Sequence, residues 1–208
     1  YPDNVYAVPS NTDWWDEVNR TGIVQNHQVS LAGGNDTGTY NVSANLFDQQ
    51  GTLIESYYKR YSVRSNTQFN IRKWLRFGEN LTYTFSKMNN TQSTAAESSI
   101  YSWIYRSSPI VPVYDIAGNY AGGNLLNSNM QNSVAILKRN KDNYHTQNRI
   151  FGNIWGEADL YKGLTFRTSF GIDYNNSYNY SMSKKNPEFA ETSGQNSFSE
   201  NNYFNYRW

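Results

Sequence analysis

Residues 57–72 read Tyr57-Tyr58-Lys59-Arg60-Tyr61-Ser62-Val63-Arg64-Ser65-Asn66-Thr67-Gln68-Phe69-Asn70-Ile71-Arg72, and their alternation decides the fold. Tyr61, Val63, Phe69 and Ile71 fall on one parity, and Arg60, Ser62, Arg64, Asn66, Gln68 and Asn70 on the other. Successive side chains of a strand point to opposite faces, so the stretch is a strand with one largely apolar and one polar face. It is about three times as long as the usual strand of about 5 to 6 residues.

The pattern repeats on both sides. Residues 38–48 alternate Tyr40, Val42, Ala44 and Leu46 with Asn41, Ser43 and Asn45; residues 75–86 place Leu75, Phe77, Leu81, Tyr83 and Phe85 opposite Arg76, Asn80, Thr82, Thr84 and Ser86. Further strands are expected over 144–161 (Ile150, Ile154, Ala158 and Leu160 in phase) and 164–176 (Leu164, Phe166, Phe170, Ile172 and Tyr174). A weaker one covers 24–32, and a last one runs from Phe198 to Trp208, giving about seven. A short helix capped by Thr12 or Asp13 is expected ahead of them, where Asp16 and Glu17 favour a helix N-terminus.

Connection lengths sort the ends of these strands. Gly33 to Asp36, Arg72 to Trp74 and Tyr161 to Gly163 are minimal, whereas 88–143 and 177–197 are long and Asp48 to Glu55 is short. All the tight turns therefore lie at one end of an antiparallel meander, as in an up-and-down barrel that crosses an outer membrane. The rival architecture is a secreted or cell-surface β-sandwich that binds glycans, with Trp14, Trp15 and Trp103 as a stacking platform. Sandwiches seldom need strands this long, and their loops do not sort by end.

Composition agrees with a chain whose apolar residues are spent on a surface. Hydrophobic residues are 38% of the 208 and charged residues 17%, against about 45 to 50% and about 25% in globular domains. Aromatic residues reach 16%, and rings at that density need cover. No apolar run approaches the roughly 20 residues of a membrane-spanning helix. The net charge of +1, without a basic run, gives no footprint for nucleic acid. There is no cysteine, and His27 and His145 stand apart in different strands, so neither a metal site, a cofactor site nor a catalytic centre is expected.

Particular runs carry a resemblance. Asn11-Thr12-Asp13-Trp14, Arg20-Thr21-Gly22, Gln25-Asn26-His27-Gln28-Val29-Ser30-Leu31-Ala32-Gly33-Gly34, Phe47-Asp48-Gln49-Gln50-Gly51, Tyr61-Ser62-Val63-Arg64-Ser65-Asn66, Pro109-Ile110-Val111-Pro112-Val113-Tyr114-Asp115 and Asn132-Ser133-Val134-Ala135 follow one another in an order that resembles the SusC/RagA family of TonB-dependent outer-membrane transporters of Bacteroidetes. Two positions depart from it: Ser133 stands where the family commonly has proline, and Glu79 where it has an apolar residue. The resemblance implies that residues 1–208 are a fragment of a larger plugged barrel, its early wall, in a multi-pass protein of the cell outer membrane. It implies TonB-dependent uptake of oligosaccharides or peptides rather than an enzyme. The partners implied are a SusD-like lipoprotein, TonB with ExbB/ExbD, outer-membrane lipid and a glycan or peptide substrate.

On that reading Arg60, Arg64, Asn66 and Arg167 face the lumen or plug, with Arg64 and Arg167 bracing plug carboxylates. Glu79, at a lipid-facing parity, is expected outside the hydrocarbon or at a bulge. The long connection carries Ile100, Tyr101, Trp103, Ile104 and Tyr105, which must pack against a partner, the barrel mouth or one another. Tyr101, Trp103, Tyr105 and Tyr114 are the candidate contacts to partner or substrate. Sorted turns predict that a cysteine at Asn127 of the full-length protein labels with an impermeant reagent on whole cells and one at Lys162 does not; the reverse labelling overturns the orientation.

Overall fold

The computed structural model describes residues 10–89, 99–122, 130–188 and 196–207. Seven antiparallel strands lie in one sheet in chain order: β1 (Val24–Asn35), β2 (Gly38–Gln50), β3 (Tyr57–Arg72), β4 (Leu75–Asn89), β5 (Tyr144–Tyr161), β6 (Leu164–Ser183) and β7 (Ser197–Arg207). β6 alone has 20 residues. Three short helices accompany the sheet, α1 (Trp14–Val18), α2 (Ile100–Arg106) and α3 (Ser133–Arg139). Asp13 caps α1, its carboxylate accepting from the Trp15 and Asp16 amides. Asn127, Gly123 and Trp208 lie outside the described residues.

Three two-residue turns close one end. Asp36-Thr37 is held by Asn35, whose Oδ1 accepts from the Thr37 and Gly38 amides at 2.9 and 3.1 Å, an Asx geometry that the short side chain permits. Lys73-Trp74 and Lys162-Gly163 close the others, and Gly163 takes φ +85°, open to glycine without a Cβ penalty. The register slips beside these last two turns, between Asn70 and Arg72 and between Asp159 and Tyr161. The helices and the longer connections gather at the opposite end.

Unbroken register puts apolar side chains in rows across the sheet. Val29, Ala44, Val63, Tyr83, Ile150, Tyr174 and Tyr206 are successive cross-strand partners through all seven strands. Neighbouring rows carry Leu31, Val42, Leu81 and Ile172, or Leu46, Tyr61, Phe85 and Phe204. These side chains lie open: Val29 is 74% exposed and Phe170 56%. Among the described residues every buried apolar side chain belongs to the helical end, and none to the seven strands. A sandwich buries one face of each sheet against the other; here there is one sheet, and the face that would pack is uncovered. The β-sandwich alternative is thereby overturned.

One further expectation is corrected, and one of the two alternatives for Glu79 is excluded. β4 continues to Asn89 and β6 to Ser183, so 177–183 is strand: Tyr178, Tyr180 and Met182 extend the alternation that the abundant Asn and Ser obscure. Glu79 sits at no bulge. It pairs regularly with Thr67 and Ile154 and is flanked on its own strand face by Phe77 and Leu81. The hydroxyls of Ser65 and Thr67 donate to its Oε1 at 2.5 and 3.1 Å, while its Oε2 is buried without a hydrogen-bond partner, so half of the carboxylate on the apolar face is answered.

Neighbouring residues of β3 test which face meets lipid. Val63→Arg should cost the full-length barrel about 2 to 4 kcal/mol in a denaturant titration in lipid, and Ser62→Arg much less; equal losses would contradict the assignment of faces.

Candidate functional site

Two places hold the polar chemistry: the polar face of the sheet and the cap of helices and loops at its open end. The register places Arg60, Arg64, Arg76, Arg149, Arg167 and Arg207 on the polar face, with Glu157, Asp159 and Asp173 as its acids. Arg76 donates to Glu157 and Asp159 at 2.9 and 2.8 Å. Arg167 reaches the other Glu157 oxygen at 3.4 Å and lies 4.5 Å from the centre of the Trp155 ring. That ring covers Gly78, its cross-strand partner, where any Cβ would collide with it. Arg149 grips Asp173 with two hydrogen bonds of 2.9 Å. Planar guanidinium groups suit such two-point pairing with carboxylates.

The residues expected on this face divide by surroundings. Arg60 lies over the Phe47 ring at 5.5 Å, and its Nε is buried without a hydrogen-bond partner. Arg64 is exposed and Asn66 half-buried, both on the same face as Arg60. Arg167 stands on β6, three strands on from β3, and joins Arg76 of β4 with Glu157 and Asp159 of β5. Sequence reading set Arg76 opposite the apolar residues of its strand but named neither it nor Arg149, Asp173 and Arg207 as site residues. Parity alone selects all four, but their pairing depends on a register the pattern does not specify.

The cap owes its existence to residues from three separate stretches. Trp14 and Val18 of α1, Leu53 of the β2–β3 loop, Ile100, Trp103 and Ile104 of α2, Val111, Val113, Met130, and Val134 and Ile136 of α3 form one buried cluster. Each such side chain contributes about 1.5 to 3 kcal/mol when fully buried. Asn132 is its polar hub: Nδ2 donates to the carbonyls of Val113 and Ala121 at 2.8 and 2.9 Å, and Oδ1 accepts from Ala135 N, capping α3. Thr12 and Trp14 donate to the carbonyls of Val111 and Ser108.

The middle of the long connection therefore packs in a core of its own, shared with α1 and Leu53. Trp103, 7% exposed, is a member of that core and no surface contact, and Trp14, 3% exposed, leaves the supposed stacking platform with it. Tyr105 stands 83% exposed, Tyr114 half-exposed and stacked on Tyr120, and Tyr101 half-buried with its ring 6.0 Å from Trp15. Lys138 bonds Glu55 at 2.6 Å, and that hydrogen bond holds the ammonium above the ordinary lysine range. Arg139 pairs with the buried carboxylate of Glu188 and so ties the β6–β7 connection to α3. Among the described residues no three His, Cys, Asp or Glu side chains gather as a metal site would require.

An open sheet with an uncovered apolar face, an arginine-rich opposite face and a loop cap at one end has close counterparts. "TonB-dependent receptor P3" of Formosa agariphila is 30% identical over 187 residues, which are 85% of this chain. The chain belongs to the TonB-dependent receptor family. A second receptor of that organism, P26, is 25% identical over 178 residues, and "TonB-dependent receptor SusC" of Bacteroides thetaiotaomicron is 35% identical over 57 residues, or 27% of the chain. Among solved structures the RagAB peptide importer in the closed-closed state superposes with a TM-score of 0.66 over 93% of the chain, at 22% identity, and so shares the fold. No family model matches the chain. It spans less than a fifth of the curated receptors it matches, 18% of P3 and 17% of P26, and 22% of the RagAB chain. These relatives are receptors and transporters, and the SusC/RagA resemblance read from the sequence agrees with them.

Within this TonB-dependent receptor segment, Ser133 occupies the first position of α3, where a helix needs no amide donor. Its hydroxyl is buried without a partner, and Asn132 before it is extended (φ −68°, ψ 107°), the conformation that proline imposes on its predecessor. Ser133→Pro should therefore keep the cap and stabilise it by about 0.4 to 1 kcal/mol. Asn132→Ala, which strips partners from two carbonyls and a helix amide, should cost about 2 kcal/mol or more. Hydrogen exchange of residues 111–122 in the full-length protein reads both, with protection rising for the first and falling for the second.

Proposed function

We propose that this chain forms part of the wall of an outer-membrane importer of oligosaccharides or peptides, energised by TonB with ExbB/ExbD and working with a SusD-like lipoprotein. The observation that carries the reading is the apolar face, continuous across seven strands and uncovered, which a lipid bilayer would cover. Residues 1–208 would then belong to the barrel domain as its early strands. The polar face would line the lumen or meet a plug, with Arg60, Arg64, Asn66 and Arg167 among the residues facing inward. The cap would lie at the cell exterior, where Tyr101, Tyr105 and Tyr114 remain available to a partner or to cargo.

The peptide half of the cargo class rests on the likeness to the RagAB peptide importer, and TonB coupling on the likeness to the TonB-dependent receptor SusC. Import is the reading that joins the two faces: the outer one carries the apolar rows, and the inner one carries most of the strands' arginines and carboxamides, which can hydrogen-bond a polar cargo. Deleting the gene for the full-length protein should abolish growth on one class of oligosaccharide or peptide and spare growth on monosaccharides or free amino acids. A protonophore or loss of TonB should reproduce the defect. Undiminished growth of the deletion strain on every such polymer would sink the reading.

A further inference from the structure

The geometry points to an anion-accepting subsite on the polar face, between β5, β6 and β7, that holds a carboxylate or sulfate group of the imported molecule in passage. The inference rests on the importer reading and adds a cargo chemistry to it. A recess of about 240 Å³ opens there, lined by Gln147, Arg149, Asp173, Asn175, Asn205 and Arg207. Every one of these side chains is charged or a carboxamide, so the recess offers hydrogen bonds and no apolar floor.

Its charges do not cancel. Both oxygens of Asp173 are taken by Arg149, which leaves that pair neutral. Arg207 is the cross-strand partner of Asp173 on the far side, and among the described residues it makes no ion pair of its own. One positive charge therefore remains in the recess. Around it, Gln147 donates to Asn175 Oδ1 at 3.0 Å, and Asn205 stands opposite Asn175 in the ladder. The Asn175 and Asn205 amides add N–H donors beside the guanidinium. A guanidinium fork with amide donors at its side matches a planar carboxylate or a sulfate in shape and charge. The surrounding face acts in the same direction, because its arginines outnumber its acids two to one among the described residues, and a net positive surface favours the opposite ion.

The test uses purified full-length transporter in detergent micelles, titrated calorimetrically with trigalacturonate, with inorganic sulfate and with the neutral galactotriose. Trigalacturonate and sulfate should bind, and galactotriose at least about tenfold more weakly than trigalacturonate. Arg207→Gln should weaken the anionic probes about tenfold, the scale of one charge-assisted hydrogen bond. Asn205→Asp, which adds a negative charge at unchanged size, should weaken them at least as much. Lys141→Gln, which removes an exposed charge outside the sheet, should change nothing. Equal binding of acidic and neutral trisaccharides, full affinity in both recess variants, or no binding of trigalacturonate to the native protein because its own acids fill the recess, each overturns the subsite. The deletion strain is scored separately, so a transporter that supports growth yet fails this titration sinks the subsite and leaves import standing.

Discussion

Backbone hydrogen bonding away from water is the constraint on which the rest of this structure depends. In lipid no solvent satisfies an amide or carbonyl, so each strand must give its polar groups to its neighbours. Among the described residues the ladder does this in chain order from β1 to β7, with slips only beside two turns, and stops at the outer edges of β1 and β7 and along 164–172 of β6, which β7 does not reach. Once the ladder is fixed, every side chain has one of two faces, and no apolar strand residue needs a protein partner. The buried core is free to form elsewhere, and it does so in the cap.

The two faces handle charge differently. On the polar face arginines pair across strands with Glu157, Asp159 and Asp173, at partly exposed sites where such pairs contribute little stability but fix side-chain positions. On the apolar face Glu79 is answered by two hydroxyls in place of a cation. A regular strand carries the carboxylate because its neighbours on β3 are Ser65 and Thr67, which break the apolar row at the same level.

Much of this was legible in the sequence, and the parts that were not have a common cause. Period-two alternation in residues 57–72 and 144–161 returned both strands with their observed ends, because one residue of slip would invert every face. The turns were legible from Asn35, Gly163 and the shortness of the intervening segments. The far end of β6 was not, since Tyr178 and Tyr180 among asparagines read equally as loop. The cap was missed as a unit: Leu53 and Trp14 carry no periodic signal that ties them to Trp103, and only the fold brings them together. The same holds for Arg149, Asp173 and Arg207, whose parity was plain but whose meeting depends on the register of three consecutive strands, which alternation alone does not specify.

The make-up of the cap has a consequence for the order in which the molecule assembles. Thr12 is bonded to Val111 across 99 residues, and Leu53 joins the same cluster from a third place in the chain. Contacts at such separation form slowly unless something first draws the segments near. The strands supply that proximity: β1 to β4 must be paired before Trp14, Leu53 and Trp103 are neighbours. By contact order the cap's contacts rank among the slower ones of the molecule to form, and the pairing of the strands is what shortens the chain between them.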